Sequence, residues 1–192
     1  MAKALPYFPI EEANPFLGWR GIRVTLDHPE IFLVQLRAIL RASEGLDNAR
    51  ILLPMITNMP ELESALELVY RVHDELTQEE GYSLAEPVVG AMIEVPAAVY
   101  QIREIARRVN FVSVGSNDLT QLTLGLDRDS DLIAHLFDER NEAVKALIAM
   151  AIKAAKAKGK YIGICGQGPS DHPELAEWLL QQGIDSISLN PD

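Results

Sequence analysis

Three side chains stand out by type and surroundings as able to do chemistry: Glu94, Asp118 and Cys165. Each closes or closely follows a short apolar run. Val88 to Ile93 leads into Glu94. Phe111 to Gly115 leads into Ser116-Asn117-Asp118. Tyr161 to Ile164 leads into Cys165-Gly166-Gln167-Gly168. Two carboxylates on one face suit a single hard divalent cation, because Mg²⁺ takes one or two carboxylates and completes its octahedron with water and ligand oxygens. The plainer alternative makes Asp118 a helix N-cap with Gln121 at the reciprocal position, and Glu94 a strand-end acid facing water. Cys165 is either an inert small hydrophobe or, beside its glycine-rich turn, a thiol open to a pocket. Arg20, Arg50 and Arg128 are able to clamp an anion bidentately, and each reads equally as a solvated or ion-paired side chain. The four histidines, His28, His73, His135 and His172, have no metal-ligand spacing and read as surface or capping residues.

Side chains so far apart in sequence need a frame that brings them together. Strand-like runs lie at 51–55, 88–94, 111–115, 161–165 and 186–189, with a weaker sixth near 16–20. They are continuous and apolar rather than alternating, the pattern of parallel strands buried on both faces. Helical segments separate them. Asn58 and Glu61 have capping-box spacing ahead of a helix to about Gln78. Pro96 suits the first turn of a helix ending at Arg108. Val144, Leu147, Ile148, Ala151, Ile152 and Ala155 form one stripe over 142–158, closed by Gly159. Ser170 or Asp171 is the expected cap of a last helix that stops at Gly183. Strand–helix alternation of this kind predicts an α/β fold with a parallel sheet, and such folds bind ligands at the carboxyl ends of their strands.

Composition narrows the partners. The chain has 192 residues, with 17 basic against 28 acidic side chains and a net charge of −11. That balance argues against non-specific nucleic-acid binding and against docking on anionic membranes. No apolar stretch is long enough for a bilayer span, and the opening residues lack a signal-peptide apolar block. Cys165 is the single cysteine, which excludes an internal disulfide. A cytoplasmic location is expected.

The motifs Asn14-Pro15-Phe16-Leu17-Gly18-Trp19-Arg20, Ile93-Glu94-Val95-Pro96, Gly115-Ser116-Asn117-Asp118-Leu119-Thr120-Gln121, Asp127-Arg128 and Cys165-Gly166-Gln167 occur in that order. Together they resemble the C-terminal phosphoenolpyruvate (PEP)/pyruvate-binding barrel of the PEP-utilising enzymes. That family includes enzyme I of the phosphotransferase systems, PEP synthase and pyruvate phosphate dikinase. The resemblance runs from about residue 9 to the end. Up to Val114 it looks more like enzyme I, and from Leu122 on more like PEP synthase, as in a recombined, reconstructed or designed sequence (a chimera), with a divergent natural member as the alternative. Enzyme I usually has Glu where Gln167 stands.

The resemblance implies a partial TIM-type (β/α) barrel with five to six of eight parallel strands. Residues 1–15 form an irregular lead-in, 16–192 form the barrel domain, and the first strands fall before residue 1. It implies that Glu94 and Asp118 ligate Mg²⁺. Asn117 and the backbone at Gly115 would hold phosphoryl oxygens, and Arg20, Arg50 and Arg128 would neutralise phosphate and carboxylate. Cys165 would exchange the proton at the enolpyruvate methylene. The implied activity is Mg²⁺-dependent phosphoryl transfer between PEP and a histidine on a separate domain, since none of the four histidines here has the Gly-rich Thr/Ser-His context. Two alternatives accompany it. One is a truncated or chimeric barrel with a structural role only; the other is a Mg²⁺-dependent lyase of the PEP/pyruvate superfamily. Open sheet edges in a partial barrel favour a homodimer.

Overall fold

The computed structural model describes residues 11–191. Most of the expected lead-in, residues 1–10, lies outside the described residues, and 11–15 carry no regular element. Five parallel strands form one sheet in chain order: β1 (Ile51–Leu53), β2 (Val89–Ile93), β3 (Phe111–Gly115), β4 (Tyr161–Cys165) and β5 (Ser186–Ile187). Around them run α1 (Ile22–Asp27), α2 (Pro29–Ala42), α3 (Met59–Asp74), α4 (Pro96–Arg108), α5 (Ser116–Leu124), α6 (Glu142–Lys156), α7 (Gly168–Asp171) and α8 (Pro173–Gln181).

Register sorts the strand residues onto two faces. On one face Leu53, Ala91, Val112 and Ile162 stand in a row, and Ile93, Val114, Ile164 and Ile187 in the next. The first row is 0–1% exposed. The helices cover this face, with α4 packed on β2 and α6 on β3 and β4. The apolar stripe of α6 that the spacing predicts is buried here, from Val144 to Ala155.

The other face is built in three layers. Leu52, Gly90, Phe111 and Tyr161 form the first, nearest the amino ends. Met92, Ser113, Gly163 and Ser186 form the second. Gly115 and Cys165 form the third, with Glu94 one step beyond β2. Layers of inward side chains are the usual filling of a (β/α) barrel. Here the glycines receive their neighbours: a Cβ on Gly90 would strike the Phe111 ring, and one on Gly163 would lie 2.6 Å from Ser186 Oγ.

Two expected boundaries differ. No strand forms near 16–20; the chain turns there, with the Leu17 N–H on the Asn14 carbonyl at 3.0 Å, and an extended segment would break that bond. Ser170 and Asp171 do not cap the last helix but lie inside α7. Pro173 bars its predecessor His172 from helical geometry (φ −132°, ψ 90°), so the chain breaks there and α8 starts afresh. The capping box at α3 does form, the Glu61 N–H donating to Asn58 Oδ1 at 3.0 Å. The Glu61 carboxylate reaches one residue further back, to the Thr57 N–H and hydroxyl.

Candidate functional site

The third inner layer, with the residues just past it, holds most of the candidate residues. Glu94 is buried where β2 ends, and its Oε1 accepts the Met55 N–H at 2.6 Å. Met55 supplies that N–H from a left-handed backbone (φ 56°), uncommon for a residue with a Cβ, just past β1. Gly115 makes room on the other side, since a Cβ there would sit 2.7 Å from Glu94 Oε2. Burial pushes the Glu94 carboxyl up to about 7; the neighbouring Asp118 adds to this, while the Met55 N–H and Arg20 oppose it.

Asp118 lies in the first turn of α5, whose N-cap is Gly115. It is therefore not the cap, and Gln121 does not reciprocate: Gln121 Oε1 instead accepts the Arg128 N–H at 3.1 Å. Two guanidinium groups converge on Asp118. Arg20 binds it in a fork, Nη1 to Oδ1 at 3.0 Å and Nη2 to Oδ2 at 3.4 Å, and Arg128 Nη1 lies 3.5 Å from Oδ1. Both arginines stack on one ring, Phe16, at 5.5 and 5.2 Å from its centroid. The Asn-Pro-Phe turn thus presents a platform that holds two cations side by side.

Cys165 ends β4 next to Gly115. Its Sγ lies 3.9 Å from Ser113 Oγ and 3.5 Å from the Val114 carbonyl. Burial, with the charges of Glu94, Asp118 and Glu139, pushes the thiol up, so it stays protonated at neutral pH. Asn117 Oδ1 accepts the Gln167 N–H at 3.4 Å, joining the start of α5 to the cysteine turn. A cleft of about 540 Å³ opens beside them, lined by Asn117, Arg128, Gly166, Gln167, Ser188 and Asn190.

The structure brings together Arg20, Glu94, Gly115, Asn117, Asp118, Arg128 and Cys165. It does not bring Arg50. A residue that precedes a parallel strand sits at the sheet's amino end, and Arg50 folds back there onto the Asp47 and Ala49 carbonyls at 3.0 and 2.9 Å. It borders a hollow with Val88, Asn110, Phe111 and Tyr161 at the amino end of the sheet, opposite the end that carries the acids. Met55 and Phe16 were not readable as site residues. Phe16 had a signal in its motif, whereas the backbone angle of Met55 leaves none.

As a metal site the pair offers two carboxylates, a donor set that fits a hard cation completing its shell with water and ligand oxygens. Among the described residues no group of three His, Cys, Asp or Glu side chains clusters for a metal.

Fold and site together define a class: a parallel β/α half-barrel with an acid–arginine–thiol cluster at the carboxyl ends of its strands. Comparison with known proteins goes one step further. The family of the PEP-utilising enzyme PEP-binding domain matches residues 1–192, and the chain belongs to that family. It is 50% identical over 190 residues to the PEP synthase of Deinococcus radiodurans, covering 97% of this chain and 24% of the relative. It is 43% identical over 188 residues to a protein of the PEP-dependent phosphotransferase system of Escherichia coli K12, covering 98% of this chain and 25% of the relative. The chain thus spans about a quarter of the length of these relatives. Among solved structures it is similar to a citrate lyase from Burkholderia xenovorans (TM-score 0.63, 20% identity, 86% of this chain and 52% of that one). It is also similar to the pyruvate kinase of Pyrobaculum aerophilum (TM-score 0.51, 19% identity, 83% and 34%). At such identities the likeness is one of fold, and it agrees with a TIM-type architecture. No helix among the described residues is long and apolar enough to cross a membrane.

Proposed function

We propose that this domain binds PEP and pyruvate at the carboxyl ends of β2 to β5 and serves phosphoryl transfer between PEP and a histidine on a separate domain. One observation carries the reading: Arg20 and Arg128 converge on Asp118 beside the buried Glu94, with the protonated Cys165 thiol at the next strand end. Phosphoryl transfer is mainly positioning and charge stabilisation, so a pair of arginines beside acids is suitable equipment.

Arg20 and Arg128 neutralise the phosphate and carboxylate charges. Asn117 and the backbone at Gly115 orient the phosphoryl oxygens. Glu94 and Asp118 would hold Mg²⁺, which when bound neutralises phosphoryl and enolate oxygens. The P–O bond of PEP breaks as the N–P bond to histidine forms, and the electron pair stays on the enolate. Cys165 donates its proton to the methylene carbon, giving pyruvate, and regains one from the proton released by the histidine. A thiol kept protonated by burial suits an acid better than a nucleophile. Arg50 has no part in this scheme. A lone reduced thiol at the site suits the cytoplasm.

Isothermal titration of PEP into the purified chain, with and without Mg²⁺, tests the reading. Binding should require Mg²⁺, and Asp118→Ala should abolish it. Unchanged affinity in the variant would sink the metal assignment.

The half-exposed Tyr161 and the edges that β1 and β5 leave unpaired among the described residues favour a second reading: a recombined or designed scaffold, paired with a second copy, whose site no longer turns over. A dimer on size exclusion with no PEP affinity would support it.

A further inference from the structure

The segment Asp138-Glu139-Arg140 looks like a solvated charge run, but its middle residue points inward. Arg140 pairs with Asp138 at 2.9 Å and with Glu174 at 3.1 Å on the surface. Glu139 between them is only 6% exposed. Its carboxyl lies beneath the cysteine turn. A Cβ on Gly168 would lie 2.8 Å from Glu139 Cδ, and one on Gly166 would lie 3.0 Å from Oε1 while colliding with Ser116 Oγ. Gly166 itself has φ 150°, a conformation that side chains rarely adopt. The turn is thus glycine-built around the Glu139 carboxyl and the Ser116 hydroxyl.

Ser116 Oγ donates to the Cys165 carbonyl at 3.1 Å. With its hydroxyl proton directed there, Glu139 Oε1 is left buried with no hydrogen-bond partner. A protonated Glu139 resolves this, because its O–H donates to Ser116 Oγ and completes a chain from Glu139 through Ser116 to the Cys165 backbone. Burial favours its neutral form and pushes the carboxyl up, and Asp171 adds to this, while the Ser116 hydroxyl, the Gly168 N–H and His172 oppose it.

We propose that Glu139 is a positioning residue: through Ser116 and the Gly166–Gly168 backbone it fixes the turn that aims the Cys165 thiol. The proposal rests on the reading of Cys165 as the proton donor, but its test reads the thiol directly and needs no PEP. Cys165 is the single cysteine, so iodoacetamide alkylation followed by mass spectrometry reports that turn alone. Glu139→Ala and Ser116→Ala should each raise the native-state alkylation rate about fivefold, the effect of losing one hydrogen bond on local opening. Glu139→Gln, which still donates to Ser116, should restore a rate near that of the parent chain. Should Glu139→Ala fail to fold, Ser116→Ala decides. A packing role alone would lower the urea midpoint and leave the native rate unchanged, and that result overturns the proposal.

Discussion

The two faces of the sheet come from the same strands and meet opposite fates. Val112 and Ile162 on the helix side are fully buried, while Tyr161, one residue from Ile162, is 52% exposed, and Leu52 on the same inner face is 38% exposed. Toward the carboxyl ends the inner face changes character again, and Glu94 there is buried although it is an acid. The contrast teaches where selection of residue type acts. The helix side is closed by apolar packing, the inner rim by charge pairing around a ligand-sized cleft, and the inner floor by nothing among the described residues.

The largest test of that contrast is on the helix side. Ile162→Ala should cost about 3 kcal/mol in urea unfolding, because it empties a fully packed site. A loss below 1 kcal/mol would show that the helix side is no tighter than the inner one.

Next in size is Glu94→Gln. The folded value of Glu94, about 7, lies above its ordinary 4.5, so the group's stabilising contribution is complete below pH 4.5 and is lost as pH rises through 7. The variant should therefore lack this loss and be more stable than the parent at pH 8 by on the order of 2 kcal/mol. Parallel stability curves from pH 4.5 to 8 would show that the acid is solvated after all.

The smallest effect is expected at the inner floor. Tyr161→Ser should change stability by less than about 0.5 kcal/mol in the monomer. A much larger cost that grows with protein concentration would mean that a second copy covers this face.

Much of the frame was legible. Each apolar run from 51, 88, 111, 161 and 186 contains a strand, because continuous branched residues bounded by turns suit little else. Yet burial on both faces does not follow from that pattern. Gly90 and Gly163 keep the runs apolar by accommodating neighbours, not by packing against a second layer. Glu94, Asp118, Asn117 and Cys165 were findable as candidates because each lies at or just past a strand end, and Arg20 and Arg128 because each belongs to a motif, Asn14 to Arg20 and Asp127-Arg128. Arg50 was misplaced by the same logic run in reverse, since a residue before a strand belongs to the opposite end of the sheet. The burial of Glu139 was hidden because its neighbours Asp138 and Arg140 are genuine surface charges. Only the folded turn of Gly166 and Gly168 sets it apart.

The strand order, β1 to β5 without a skip, has a consequence for how the chain reaches this state. Among the described residues every ladder joins a strand to the next one in sequence, so none of these strands waits for a distant partner, and loop-closure entropy stays moderate at each step. Assembly can then follow synthesis from the amino end, each new βα unit docking on the edge left by the last. The edge presented at any moment is the template for what emerges next. Over the described residues the half-barrel thus grows by accretion, one βα unit at a time.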